Sequence, residues 1–287
     1  MDELLSLVIV LNALDTAPQD QPLPLWWGRA VHAMFLQVIR AADENLAASL
    51  HDEQSAKPYT VSNLMGKRQA NRLLPQQNYW LRLTSYDARL THILLQAVAP
   101  GGRLAQGSRL ELDYLPFTVQ AVYTDPQQHP WAAHNGFAAL AAQYLTRSEG
   151  LPRSLTLQFA SPLCFKNNGV FMPLPLPGLV FGSLLDKWNA AAPIAFPEET
   201  RRFAQECLTV GSFHLNSRRA DLKANAARWG AVGQARYHAV RYDRYWLGIL
   251  HTLAAFALFC GAGVSAAMGM GQCRAHDGAP SADDAGG

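Results

Sequence analysis

Two groups of residues in this sequence could handle a phosphate. The first is Gly261-Ala-Gly263-Val-Ser-Ala-Ala-Met-Gly269-Met-Gly271, two Gly-x-Gly pairs separated by five residues. Glycine tolerates positive φ and lets another chain approach the backbone closely. Successive N–H groups in such a loop can form a concavity that takes an anion, most often a phosphate. Two familiar phosphate loops are excluded. A dinucleotide-binding loop follows a strand, whereas a helix-like run, residues 246–260, precedes this one, and a P-loop needs a Gly-Lys-Ser/Thr that is missing here. The glycines alone are equally compatible with a plain turn before a last strand.

The second group is His32, His51 and Lys57. An imidazole with a pKa near about 6.5 can accept or deliver a proton at neutral pH, and an ammonium can hold a phosphate. By residue type alone His51 is a histidine ending a short helix, His32 a histidine of the first helix and Lys57 a loop charge. The remaining histidines show no ligand spacing, and His251, on an apolar helix, reads as a core histidine. The four cysteines (Cys164, Cys207, Cys260, Cys273) match no metal-ligand spacing, so no metal site is expected; they read as reduced thiols of a cytoplasmic protein.

Charge adds a third candidate surface. The whole chain of 287 residues carries only +2, yet residues 201–244 hold nine Arg and Lys against three acids, or +6, leaving −4 elsewhere. That asymmetry points to a localised polyanion-binding face. Arg218, Arg219, Lys223 and Arg228 gather around the tip of a predicted hairpin, where phosphate contacts would supply affinity rather than base reading. Trp229, Tyr237 and Tyr242 could stack on bases, although at strand spacing such residues more often pack.

The elements that must position these residues fall into two similar sets. Residues 4–14 form an apolar, β-rich run suited to a central strand. Helical spacing follows over 25–42, with a short helix at 44–50, a strand at 58–62 and an alternating strand at 79–84. Ser85 is expected to cap a helix over 86–98, and 110–124 supplies the last strand or hairpin. The order β-α-β-β-α-β is the ferredoxin-like plan. Residues 125–153, with a helix at 136–145, read as the boundary between domains. Then come a strand at 155–159, a helix at 178–189, a basic hairpin (208–220 and 228–240), a helix at 245–259, the glycine loop and a short strand near Gln272. That is the same order again. The chain therefore reads as α+β, two tandem ferredoxin-like domains at 1–124 and 154–274, with a C-terminal glycine-rich loop and a small, polar tail at 275–287 expected to be disordered. Residues 247–270 are apolar, but His251 and glycines interrupt them, so a buried helix is expected rather than a membrane span of about 20 residues.

Three motifs carry a resemblance that covers nearly the whole chain. They are Leu50-His51-Asp52 with Lys57-Pro-Tyr-Thr-Val-Ser62, the mid-chain Phe159-Ala-Ser161-Pro162-Leu-Cys-Phe165-Lys166, and the terminal Gly261-x-Gly263-x5-Gly269-x-Gly271. Together they resemble the CRISPR-associated endoribonucleases that cut precursor CRISPR RNA within each repeat, the sixth of the numbered Cas proteins. The resemblance implies a metal-independent cleavage with no cofactor, in which the ribose 2′-hydroxyl attacks the neighbouring phosphorus to give a 5′-hydroxyl and a 2′,3′-cyclic phosphate. It implies His51 as a catalytic histidine, His32 as a second one, Lys57 on the scissile phosphate, and RNA contacts from Lys166, Gly261, Gly263, Gly269 and Gly271. The tyrosine that some relatives carry in the first helix falls on Leu36 here. Repeat RNA is the expected partner; other Cas proteins and a second copy of the chain are further candidates, and no membrane is expected. The rival reading is a non-catalytic RNA-binding subunit of a crRNA-guided complex with the same fold.

Overall fold

The computed structural model describes residues 3–14, 23–52, 57–69, 72–74, 77–223 and 226–276, without the side chains of His51, Asp52, Lys223 and Ala226. The first set of elements is β1 (Leu4–Ala13), α1 (Gly28–Ala42), α2 (Glu44–Asp52), β2 (Tyr59–Val61), the two-residue strands β3 (Arg68–Gln69) and β4 (Arg72–Leu73), β5 (Asn78–Tyr86), α3 (Ala88–Val98), β6 (Arg109–Leu112) and β7 (Leu115–Tyr123). β8 (Ala133–Asn135) and α4 (Phe137–Leu145) follow. The second set is β9 (Ser154–Leu163), β10 (Phe165–Asn167), β11 (Val170–Met172), α5 (Pro177–Ala191), α6 (Glu199–Cys207), β12 (Leu208–Lys223), β13 (Ala226–Ala239), α7 (Arg244–Cys260), a 3-10 turn (Ala266–Met268) and β14 (Cys273–His276).

The two main sheets repeat one topology. The first runs β2-β5-β1-β7-β6 and the second β12-β13-β9-β14, with antiparallel neighbours throughout. In each, the first strand of the unit lies between its third and fourth, with the second at the edge, which is the ferredoxin-like order expected from the sequence.

β1 is apolar except for Ser6 and Asn12, because both of its faces are covered. Leu5, Leu7, Ile9 and Leu11 enter the core beneath α1 and α3. Leu4 joins the core of the second unit, and Val8 packs with Trp131 and Ala132. α1 buries one stripe, including Val31, Met34, Phe35, Val38 and Ile39, against the first sheet.

Several expected boundaries move. Ser85 is not the cap of α3: Ser85 and Tyr86 complete β5, and the Asp87 side chain accepts from Leu90 N at 2.9 Å instead. A carboxylate caps as well as a hydroxyl, and the strand claims Ser85 by pairing it with Leu5. Residues 125–153 carry β8, which pairs with β1, and α4, whose Phe137 meets Trp188 and Phe256 edge-on or tilted in the second core. Ala275 and His276 belong to β14, paired with Leu157 and Thr156; the rest of the expected tail, residues 277–287, lies outside the described residues. Among the described residues no helix is long and apolar enough to cross a membrane; α7 is buried along most of its length.

Candidate catalytic pair and nucleic-acid interface

α1 carries His32 on the flank of its buried stripe, facing β2. Its Nε2 lies 2.9 Å from the Tyr59 hydroxyl, and the two rings are nearly parallel at 6.0 Å. Tyr59 is 1% exposed and stacks on Phe35 at 4.3 Å. Burial pushes its ionisation well above the ordinary tyrosine range, so the hydroxyl stays neutral and acts as a fixed hydrogen-bonding group. The imidazole is thereby oriented by a rigid aromatic partner.

His51 sits in the last turn of α2, and its side chain lies outside the described residues. Lys57 Nζ donates to the carbonyl of Leu50, the residue before His51. This satisfies one of the orphan carbonyls at the end of α2. The Lys57 backbone is held in turn by the Tyr86 hydroxyl, which donates to Lys57 O at 2.5 Å. An ammonium has three donors, so one bond to Leu50 leaves capacity for a phosphate. Leu36, at the position where a tyrosine is missing, packs half-buried against the first core. Arg29 is directed to Asp113, 3.9 Å away.

The glycine loop stands between this corner and the basic hairpin. All four motif glycines have positive φ, from 60° to 94°. Their N–H groups are used internally: Gly261 to Ala257 O, Gly263 to Ser183 Oγ, Gly269 to Ala266 O and Gly271 to Pro162 O. A Cβ on Gly263 would sit 2.2 Å from Cys164 O, and one on Gly271 would sit 2.0 Å from Ala262 O. The glycines thus allow backbone to pack on backbone. The N–H groups of Ser265, Ala266 and Ala267, at the loop's turn, are the ones that donate to no acceptor among the described residues. On one side the loop meets the first unit: Trp26 Nε1 donates to Met268 O at 2.8 Å, and Gly269 bridges Ser62, just beyond β2. On the other side Arg228 donates to Ser265 Oγ. Lys187, buried, donates to the carbonyls of Cys260 and Gly261 at 3.0 and 2.9 Å, fixing the point where α7 becomes the loop.

The hairpin β12–β13 forms as expected, with Arg218 and Arg219 exposed and Arg219 paired to Asp221 at 2.9 Å. The Lys223 side chain lies outside the described residues. The Arg228 guanidinium lies 4.3 Å from the ring centre of Phe171. Phe171 is 44% exposed and stands across from Lys166 in the small β10–β11 hairpin. Lys166, Phe171, Arg228 and Ser265 therefore form one continuous row. Trp229 is 60% exposed, opposite Arg219, whereas Tyr237 is buried and donates to Pro175 O, which removes it as a stacking surface. His251 contacts Pro152 O at 2.9 Å and stacks on Tyr144; it is partnered as expected but half-buried at the edge of α7 rather than in the core.

Tyr59 and Phe171 are among the residues that the sequence leaves without a role. Tyr59 lies within Lys57-Pro-Tyr-Thr-Val-Ser62, where nothing in its residue type signals the contact with His32. Phe171 follows an Asn-Gly turn at 168–169, both residues with positive φ, a hairpin signature that was available in the sequence.

Comparison with known proteins gives a consistent result for both halves. The family described as "CRISPR Cas6 N-terminal domain" matches residues 5–141, and the family described as "CRISPR-associated endoribonuclease Cas6" matches residues 157–273. A CRISPR-associated endoribonuclease Cas6 of Mycobacterium tuberculosis is 30% identical over 149 residues, 51% of this chain and 46% of that protein, so the match spans about half the relative's length. Among solved structures, one Cas6 product complex is 27% identical with a TM-score of 0.74, covering 96% of this chain and 99% of the other. A second, of a Thermus thermophilus Cas6, is 25% identical with a TM-score of 0.76, covering 96% and 100%.

Proposed function

The chain belongs to the family of CRISPR-associated endoribonucleases Cas6, and on that premise we propose that it cuts precursor CRISPR RNA within its repeats, without a metal ion, by 2′-hydroxyl attack. The observation that carries this reading is the His32–Tyr59 hydrogen bond of 2.9 Å at the corner where α1, β2 and the glycine loop meet. In the reaction a bond forms between the 2′-oxygen and phosphorus while the bond from phosphorus to the 5′-oxygen breaks. One histidine takes the 2′-hydroxyl proton and the other delivers a proton to the leaving oxygen, giving a 5′-hydroxyl and a 2′,3′-cyclic phosphate. General acid–base transfer of this kind contributes roughly 10²- to 10⁴-fold. His51 and His32 are assigned this pair of roles. Lys57, one residue from the His51 backbone through its bond to Leu50 O, is assigned to the charge that develops on the phosphorane. The row Lys166, Arg228 and Ser265, with Arg218, Arg219 and Lys223 farther along the hairpin, is assigned to the RNA backbone, and exposed Phe171 and Trp229 to bases. The product complexes among the similar structures support an RNA ligand for this chain.

The test is cleavage of a repeat RNA in EDTA by wild type, His51→Ala and His32→Ala, with a second substrate carrying a single 2′-deoxy at the cut site. One cut by wild type, with His51→Ala and the deoxy substrate inert, is the expected result. Tight binding by wild type with the RNA left intact would reject the reading in favour of a non-catalytic RNA-binding subunit.

A further inference from the structure

Arg82 lies on β5, is 1% exposed and has no carboxylate partner among the described residues. Its Nε and Nη2 donate to Gln272 Oε1 at 2.8 and 2.5 Å. Its Nη1 donates to Leu258 O at 2.7 Å and to Ser6 Oγ at 3.2 Å. The guanidinium lies 4.9 Å from the ring centre of Trp131. A buried cation without a counter-ion is costly, and an apolar side chain of similar size would commonly be at least as stable there. Its hydrogen bonds point to a different role.

Arg82 can only donate, so Gln272 must turn its oxygen toward Arg82 and its NH₂ the other way. The NH₂ meets Val61 O at 3.0 Å and Thr60 Oγ1 at 3.2 Å, both on β2. The Gln272 backbone is held to β9, with Gln272 N donating to Ser161 Oγ and Ala160 N donating to Gln272 O. Gln272 directly follows Gly271, and Thr60 directly follows Tyr59, the partner of His32. One buried amide therefore joins the end of the glycine loop, in the second unit, to the strand that orients the histidine, in the first.

We infer that Arg82 and Gln272 are positioning residues that set the register between the glycine loop and the His32–Tyr59 pair. The inference builds on the cleavage reading, because it says which geometry that chemistry would need. A displacement of about 1 Å at a reacting centre can cost on the order of 10²-fold in rate, and this pair fixes the two surfaces that would flank the scissile phosphate.

The discriminating variant is Gln272→Glu. The carboxylate keeps its acceptor and gains a charged partner in Arg82, but it sets an oxygen against Val61 O where an N–H had been. The measurements are thermal unfolding, affinity for a 2′-deoxy repeat RNA, kcat and KM on the cleavable RNA, and hydrogen exchange over residues 59–62 and 262–271. The expected result is an unfolding temperature at or above wild type and affinity within about twofold. Exchange rises together in both segments, and kcat falls roughly tenfold or more with KM unchanged. Unchanged exchange, a rise confined to one segment, or an unchanged kcat would overturn the inference. If wild type itself does not cut, the cleavage reading fails, and the exchange experiment still decides whether the pair sets the register. Should Gln272→Glu fail to fold, Gln272→Leu, which removes both halves of the link and leaves Arg82 without that acceptor, is expected to melt below wild type and is judged, well below its transition, by the same exchange, affinity and kcat outcomes.

Discussion

Gly263→Ala and Gly101→Ala separate the two meanings a motif glycine can have. Both residues have positive φ, 72° and 83°, so both alanines carry a left-handed strain of about 1 kcal/mol. Their surroundings differ. A Cβ at Gly101 meets nothing within 4 Å, whereas one at Gly263 lies 2.2 Å from Cys164 O and 3.1 Å from its carbon. A backbone carbonyl cannot rotate away as a side chain can, so the loop must move. Two bonds are then at stake, Val264 N to Cys164 O at 2.9 Å and Gly263 N to Ser183 Oγ at 3.0 Å, each with a net value of about 1 kcal/mol. Together with the strain, the cost at Gly263 is about 3–4 kcal/mol against about 1 kcal/mol at Gly101. For a chain of this size that corresponds to a fall in Tm of roughly 6–16 °C against roughly 2–4 °C. The assay is thermal unfolding followed by circular dichroism, with repeat-RNA affinity measured on each variant well below its transition. If Gly263→Ala melts no lower than Gly101→Ala but loses RNA affinity, the packing argument is wrong and the glycine is needed for close approach of the ligand.

Two further outcomes follow from the buried groups of the site. Tyr59→Phe keeps the stack on Phe35 and removes only the hydroxyl bonded to His32; a lost orienting bond of about 1 kcal/mol predicts a cleavage rate lower by roughly five- to tenfold with RNA affinity unchanged, and a wild-type rate would take His32 out of the site. Cys260 is fully buried, and desolvation pushes its thiol up to about 12. A raised folded-state pKa contributes stability that is complete below the ordinary thiol range and is lost as pH rises toward about 12. In urea unfolding under reductant, the stability difference between wild type and Cys260→Ala is expected to shrink by about 1.4 kcal/mol per pH unit above pH about 9; a difference independent of pH between 8 and 10 would show that the thiol ionises as readily folded as unfolded.

Most of the fold was legible in the sequence because its long elements announce themselves locally. β1 is a run of apolar residues broken by Ser6 and Asn12 alone, α1 has a helical stripe, and β12 and β13 alternate, so their positions agree with the sequence expectation to within a few residues. The elements that escaped lack such a pattern. α6 (ETRRFAQEC) is nine residues long and mostly polar, and Phe203 is the one large apolar residue on the side that buries Thr200 and Ala204. β8 is three residues long and exists because β1 offers Leu4 to Ser6 as an unpaired edge beyond the stretch that β7 covers. The boundary of α3 failed for a different reason: Ser85 and Asp87 are both good caps, and the choice between them was made by the pairing of β5 with β1.

The site divides along the same physical line. Exposed charges and motif glycines are visible in a sequence because their types are unusual in their local context, and the structure does bring Lys166 and Arg228 together on one row beside the loop. What makes the site rigid was not visible. Tyr59, Lys187, Arg82 and Gln272 are ordinary residues in ordinary strands and helices, and each acquires meaning only from a partner far away in sequence: His32, Gly261, Leu258, Thr60. No local period marks such groups, because a buried polar side chain is defined by what satisfies it rather than by its neighbours in the chain. The visible residues are thus those that would face the RNA, and the invisible ones are those that hold the first group still. A variant at Lys166 or Arg228 should therefore act on affinity, whereas one at Tyr59 or Gln272 should act on turnover, and that split follows from burial alone.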